Sequence, residues 1–497
     1  MFAPITLEIL VLVLGFALLL AESFSNAPSK RALPKIALFV LAWVFAFSFF
    51  TSPAPDTVEP GSFWNFYSAS PISMMFKRIA LLTTMGVLVM SLDYESTLAK
   101  FIPSSRPGAG TGEFYILPLF TCAGLMLMAS ATDLVMAFAA LELVTISFYV
   151  QVAYMRSNSA SLEAGIKYLI LGALSTGFFV YGLTWIFGLT GETHFDKVAL
   201  KLAALQSSDT AILFALLLVL VGLGFKVAAV PFQSWVPDVY QGAPTPVTAF
   251  LSVGSKAAGF LLLLRVLEPF LGVSSIQPKV LAVLGTMAGA TLIYGNLAAL
   301  PQNNLKRLLA YSSIGHAGYL LLAVASVGAT VTGFGAVGTT IGFYLFAYLL
   351  MTILGFMVLT AVSTQTKGEE IQHFNGLSKR SPFLAFALLV AMSSLAGVPL
   401  TAGFYGKFLV FAHAVNAQLW VLVALGVVTV GAGFYYYLRV VAAMYWYEPT
   451  DTAPIHVSSL SKAVMALLVV CIFVFGVNPS PILSALQGTP AKVAAAH

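Results

Sequence analysis

Charge is what this sequence most lacks. Of its 497 residues only 9% are Asp, Glu, Lys or Arg, while 59% are hydrophobic; a soluble globular domain carries roughly 25% charged residues. A water-soluble fold of this size could not cover its surface with so few, so the chain belongs among polytopic membrane proteins. Cysteine is equally scarce: Cys122 and Cys471 both lie in apolar runs, outside any Cys-x-x-Cys or Cys/His spacing. That excludes a disulfide framework and argues against zinc or iron–sulfur ligation. No Gly-x-Gly-x-x-Gly follows a strand pattern, no P-loop occurs, and no polar stretch is long enough for a cofactor domain. Any redox or nucleotide chemistry would have to come from another chain.

What the sequence does have is length in apolar runs. A helix needs about 20 apolar residues to span the hydrocarbon, and counting such runs gives fourteen candidates, making the expected fold all-α. Those that matter below are the fifth (133–154), the seventh (209–231), the eighth (244–270), the tenth (304–327) and the twelfth (381–413). The N-terminal run lacks a basic leader and carries Glu8 early, so it reads as the first membrane helix and not as a removed segment. An even number of spans puts both termini on one side. Lys77, Arg78, Lys197, Lys201, Arg265, Lys279 and Lys492 would then form the smaller basic set, at the outer ends, and the larger inner set includes Lys306, Arg307, Lys379 and Arg380. This bias places both termini outside, and the net charge of +5 reflects the basic inner loops.

Against this background a few charges stand at membrane depth. Glu142 lies in MAFAALELVTISF, Lys226 in LGFKVAAVPF, Lys256 in LSVGSKAAGF and Lys407 in AGFYGKFLVF. Each costs about 2.5–3.5 kcal/mol at the bilayer centre on insertion scales. Three explanations compete: snorkelling at an interface, a structural ion pair, and a proton or ion relay. Lysine suits a relay because burial and a nearby carboxylate move its pKa in opposite directions, whereas an arginine effectively never deprotonates. Pro231 lacks an N–H and clashes with the carbonyl of Val227, so the seventh helix should break just after Lys226; Pro399 should free the carbonyl of Leu395 in the twelfth. Broken helices at membrane depth point to ion sites in transporters. The piece from Trp235 to Pro246, with its single Asp238, reads as a compact inner turn. In the tenth span the lone His316 suits either hydrogen-bonded packing or a place in the relay, and Lys306, beside Arg307, suits either interface anchoring or the end of a proton path. Glu163 and Lys167 stand four apart and should pair on one helix face. Arg439, at the inner end of the thirteenth span, reads as a snorkelling anchor.

The segment KVAAVPFQSWVPDVYQGAPTPVTAFLSVGSKAAGF, with NNLKRLLAYSSIGHAGYLLL and SLAGVPLTAGFYGKFLVF, resembles the antiporter-like membrane subunits of respiratory complex I, the NADH:quinone oxidoreductases. Asp-Val-Tyr before QGAPTPV, the lysine in VGSKAAG and Lys407 resemble the N type, the counterpart of mitochondrial subunit 2, more than the M or L types. The resemblance implies two inverted five-helix repeats, with helices seven and twelve discontinuous. On this chain the implied division is helices one to three (1–112), repeat one (113–270), repeat two (277–448), and helix fourteen with the C-terminal tail (449–497). It further implies that Glu142 pairs with Lys226, that Lys256 links the halves, that Lys407 serves the second half and that His316 lies on the polar axis between them. The function implied is proton translocation coupled to quinone reduction elsewhere in the complex. NADH, FMN, iron–sulfur clusters and quinone would be held by partner subunits, and no cofactor or metal by this chain. M-type and K-type subunits would be neighbours, alongside the lateral helix of an L-type subunit, in a bacterial inner membrane with both termini periplasmic. The alternative is a subunit of an Mrp-type cation/proton antiporter or of a membrane-bound hydrogenase.

Overall fold

The structure is a computed structural model that describes residues 4–25, 29–51, 66–103, 110–205, 209–329, 333–366, 368–449 and 453–487. Lys492, one of the outer basic residues named above, and the end of the C-terminal tail lie outside them. No β-strand occurs among the described residues. The helices are α1 (Thr6–Phe24), α2 (Ala32–Phe47), α3 (Pro71–Leu98), α4 (Gly112–Ser130), α5 (Leu134–Val152), α6 (Ser159–Thr190), α7 (Phe195–Ala204), α8 (Asp209–Val227), α9 (Val236–Gly242) and α10 (Thr245–Phe250). A π-helical turn, Leu251–Ser255, joins α10 to α11 (Lys256–Leu271). There follow α12 (Gln277–Ala299), α13 (Leu305–Ala325), α14 (Gly333–Ser363), α15 (Leu377–Arg380), α16 (Pro382–Ala396), α17 (Ala402–Asn416), α18 (Trp420–Trp446), α19 (Ser459–Val477) and α20 (Ser480–Gln487).

Among the described residues, twelve of the spans are long and apolar enough to cross a membrane. The other two of the fourteen sequence runs are α2, a shorter apolar helix, and the twelfth run, which is split into α16 and α17. The helix starts follow local chemistry. The side chains of Ser70, Asp133, Asn158, Asn304 and Ser458 accept from backbone N–H groups in the first turns of α3, α5, α6, α13 and α19, satisfying donors that a helix leaves unpaired.

The architecture has an inside and an outside, although both are greasy. An 18-residue apolar stretch within each of the spans Thr245–Leu271, Leu305–Ala325 and Gly335–Ser363 is wholly buried in the chain, whereas little of α6, α18 and α19 is buried along theirs. Their outward side chains are large and apolar, such as Ile166, Ile170 and Leu174 on α6 and Val421, Val428 and Tyr435 on α18. Such surfaces are stable only against hydrocarbon or another apolar chain. Polar groups are therefore gathered on the central helices, where protein rather than lipid surrounds them.

Candidate functional site

The seventh span ends where proline chemistry requires. Helix α8 stops at Val227, one residue past Lys226, and the chain turns before re-forming as α9. The Trp235 indole N–H closes part of the break by donating to the carbonyl of Phe225 at 3.1 Å. In the twelfth span α16 ends at Gly397, held at φ +93°, and α17 begins after Thr401. Lys407, from the second half, turns back and donates to the carbonyls of Leu395 (2.9 Å) and Ala396 (2.7 Å). The carbonyl that Pro399 releases thus becomes a ligand for the lysine. A third irregularity had no signal in the sequence: the π-helical turn at 251–255 runs directly into Lys256. Single π-turns within helices are common at functional sites.

These breaks set buried cations among neutral groups. Lys226, Lys256, Lys407 and His316 are all buried. Lys226 donates to the Thr145 hydroxyl on α5. Lys256 donates to the carbonyl and the hydroxyl (2.6 Å) of Ser313 on α13, and Ser313 Oγ lies 3.2 Å from Tyr240 Oη. One turn along α13, His316 stands between two phenols: its Nδ1 is 2.7 Å from Tyr344 Oη and its Nε2 3.2 Å from Tyr437 Oη. Tyr437 meets Ser312 in turn. Both Lys256 and Lys407 are within electrostatic reach of the His316 ring. Lys407 Nζ also stands 5.2 Å from the centroid of the Tyr319 ring. Among the described residues, none of the three lysines has a carboxylate oxygen within 4.0 Å.

Glu142 is half-buried on α5 and accepts from Thr176 on α6 at 2.9 Å. It acts on Lys226 by charge across a gap, with Thr145, one turn further along α5, holding the ammonium. The expected pair is therefore an electrostatic one, not a contact pair.

Lys306 is buried and paired. Its ammonium donates to the carbonyl of Ala243 (2.8 Å) and to Glu369 (3.0 Å), so interface anchoring does not describe it. Beside it, Asp238 on α9 receives Lys167 of α6 at 2.8 Å and Arg307 of α13 at 2.9 Å, and Lys167 also holds Glu163 at 2.7 Å. The Trp235–Pro246 piece is thus a largely buried helical bridge, with Asp238 tying α6 to α13. Arg439 is no free anchor either: it donates to the carbonyls of Leu300 (2.9 Å) and Gln302, beyond the last turn of α12.

Sequence reasoning misplaced one residue outright. Lys77, counted with the outer loop cations, is wholly buried in the second turn of α3 and pairs with Glu8 of α1 at 2.9 Å. Lys77 lies near the end of its span, where an interfacial lysine and a buried one look alike in sequence. The signal was Glu8, a second charge near the end of another apolar run.

Residues 131–433 match the family model described as the membrane domain of NADH:quinone oxidoreductase and Mrp antiporter subunits. The chain is 37% identical over 481 residues to NADH-quinone oxidoreductase subunit N of Desulforamulus reducens, covering 97% of this chain and 96% of that one. It is similar to a chain of respiratory complex I from Thermus thermophilus, with 33% identity, a TM-score of 0.78, and coverage of 97% and 100%. A chain of the Mrp complex from Dietzia shares the fold at 21% identity and a TM-score of 0.81, over 98% and 97% of the two chains. With its broken helices, its buried lysines and relatives matched nearly end to end, the chain belongs to the antiporter-like subunit N family of NADH-quinone oxidoreductases.

Proposed function

We infer that this chain translocates protons as a membrane-arm subunit of an NADH:quinone oxidoreductase, with Lys226, Lys256, His316 and Lys407 as the central relay. Glu142 modulates Lys226, and Lys306 with Glu369 stands at one end of the path. The observation that carries this reading is that three lysines are buried among hydroxyls and carbonyls with no carboxylate in contact. A buried ammonium fixed by an ion pair has little reason to lose its proton, whereas one held by neutral acceptors can exist in either form. The hydroxyls of Thr145, Ser313, Tyr344 and Tyr437 both donate and accept, as passing a proton requires.

In this reading a positive charge arriving at one lysine disfavours protonation of the next, so protons advance as charge alternates along the row. Repeat one (113–270) would contribute Glu142, Lys226 and Lys256, and repeat two (277–448) His316 and Lys407. NADH, FMN, iron–sulfur clusters and quinone belong to partner subunits, with M-type and K-type neighbours and the lateral helix of an L-type subunit against the apolar outer faces. The location is a bacterial inner membrane with both termini periplasmic.

The test is proton uptake by inverted membrane vesicles oxidising NADH. Lys226→Ala should assemble and lose much of its uptake per NADH; assembled complex with wild-type pumping would sink the proposal. Purification with partners lacking NADH dehydrogenase activity and flavin would instead favour an Mrp-type or hydrogenase assembly.

A further inference from the structure

The most buried ion pair among the described residues lies outside the relay. Lys77 of α3 and Glu8 of α1 are 0% and 1% exposed, with Nζ 2.9 Å from Oε1. Tyr67, just ahead of α3, joins them: its hydroxyl lies 3.1 and 3.2 Å from the two Glu8 oxygens and also accepts from Lys77. Arg265 of α11 acts on Lys77 as a like charge, and the Cys122 thiol of α4 lies within the field of Glu8. Arg265 itself is engaged by Ser73 at 2.6 Å and by the carbonyl of Ala131.

Tyr67 connects this triad to a cavity of about 380 Å³, which it lines together with Ser70, Thr132, His194, Arg265 and Glu268. The cavity is large enough for several water molecules and lined with groups that hold them. Helix α11 runs from Lys256 at its first residue to Arg265 at the cavity, about 13 Å along the axis at 1.5 Å per residue.

We propose that Glu8, Tyr67 and Lys77 form a second proton-exchange site, discharging into the cavity beside Arg265. A pair serving only to join α1 to α3 could be replaced by apolar side chains at little or no cost in stability, and it would have no need of a phenol touching both partners. A proton from the protein interior neutralises the Glu8 carboxylate, leaving Lys77 without its counter-charge and facing Arg265. Lys77 Nζ gives a proton to Tyr67 Oη as the hydroxyl proton of Tyr67 passes to cavity water. The Glu8 proton then moves to Lys77, restoring the pair: one proton enters, one leaves, and no other bond changes.

This site rests on the reading that the chain moves protons, and the experiment separates the two. In inverted vesicles carrying the whole complex, Tyr67→Phe keeps the ion pair and removes only the hydroxyl. The expected result is a loss of proton uptake per NADH oxidised, with assembled complex on a native gel unchanged. The double variant Glu8→Gln/Lys77→Met, which leaves no lone buried charge, should assemble and lose uptake likewise. Wild-type uptake in assembled Tyr67→Phe, or in the double variant, overturns the proposal and leaves the pair as a clamp. Lys226→Ala is run alongside. Lost uptake there with normal uptake in Tyr67→Phe defeats this site alone, while normal uptake in Lys226→Ala defeats the central relay and leaves Tyr67→Phe to decide this site.

Discussion

Lys407 bonds the two carbonyls, Leu395 and Ala396, that end the first half of its own broken helix, at 2.9 and 2.7 Å. The lysine and the break are therefore one device: the break supplies acceptors that a continuous helix would use internally, and the lysine caps them. Lys407→Met would leave both carbonyls buried and unpaired, at about 1–3 kcal/mol for each group. Lys407→Arg keeps donors at the site but effectively cannot deprotonate. The arginine variant is thus expected to assemble better than the methionine variant, yet to pump no better. Native-gel abundance and proton uptake per NADH, measured together, check both halves of the expectation.

Among the described residues, the Lys226 ammonium has one hydrogen-bond acceptor, the Thr145 hydroxyl. Thr145→Val preserves shape and removes that acceptor, while Thr145→Ser keeps it. Proton uptake should fall in the valine variant and return in the serine variant, with assembly intact in both. Equal uptake in the two would mean that the hydroxyl plays no part in the relay.

The buried charges and the two breaks were legible because the bilayer makes both conspicuous: Lys226, Lys256 and Lys407 stand in apolar runs, and Pro231 and Pro399 cannot continue a helix. The partners of those charges were not legible. That Lys256 meets Ser313, or that His316 sits between Tyr344 and Tyr437, depends on crossings between helices distant in sequence. The π-turn before Lys256 leaves no mark in composition, since LSVGS contains nothing that forbids an ordinary helix. Lys77 was misread because it stands close enough to the start of its span to pass for an interfacial lysine, while burial in α3 begins already at Ser73.

The crossing of α12 and α13 depends on backbone contact. A Cβ placed on Gly295 would lie 2.4 Å from the backbone nitrogen of Gly315 and 2.8 Å from its Cα, and backbone cannot swing aside as a side chain can. Gly295→Ala should separate the two helices and destabilise the chain by about 1–3 kcal/mol. At Gly355, equally buried within a helix, the nearest atom to an added Cβ is Met392 Cε at 3.7 Å, so Gly355→Ala should be tolerated. Thermal unfolding of the two variants in detergent, compared with the unmodified protein, tests the contrast. Because α13 carries Ser313 and His316, loss of proton uptake should accompany loss of stability in Gly295→Ala.

Asp238 carries a pH dependence whose sign can be worked out. Partial burial pushes its carboxyl up, but hydrogen bonds and charge from Lys167 and Arg307 outweigh this and hold it below its ordinary value of 3.8. A carboxyl depressed in the folded state stabilises the fold above its unfolded pKa, and that contribution disappears as pH falls through the folded value. Because Asp238 is about a third exposed, each of its two pairs is discounted for solvent to about 0.2–1 kcal/mol. Asp238→Asn should therefore melt slightly below the unmodified protein at neutral pH, with the gap closing only under acid conditions, below about pH 4. Melting curves of both proteins across that range decide it. A gap that persists unchanged into acid would show that Asp238 joins α6 to α13 by shape and neutral hydrogen bonds, and that its charge is incidental to the bridge.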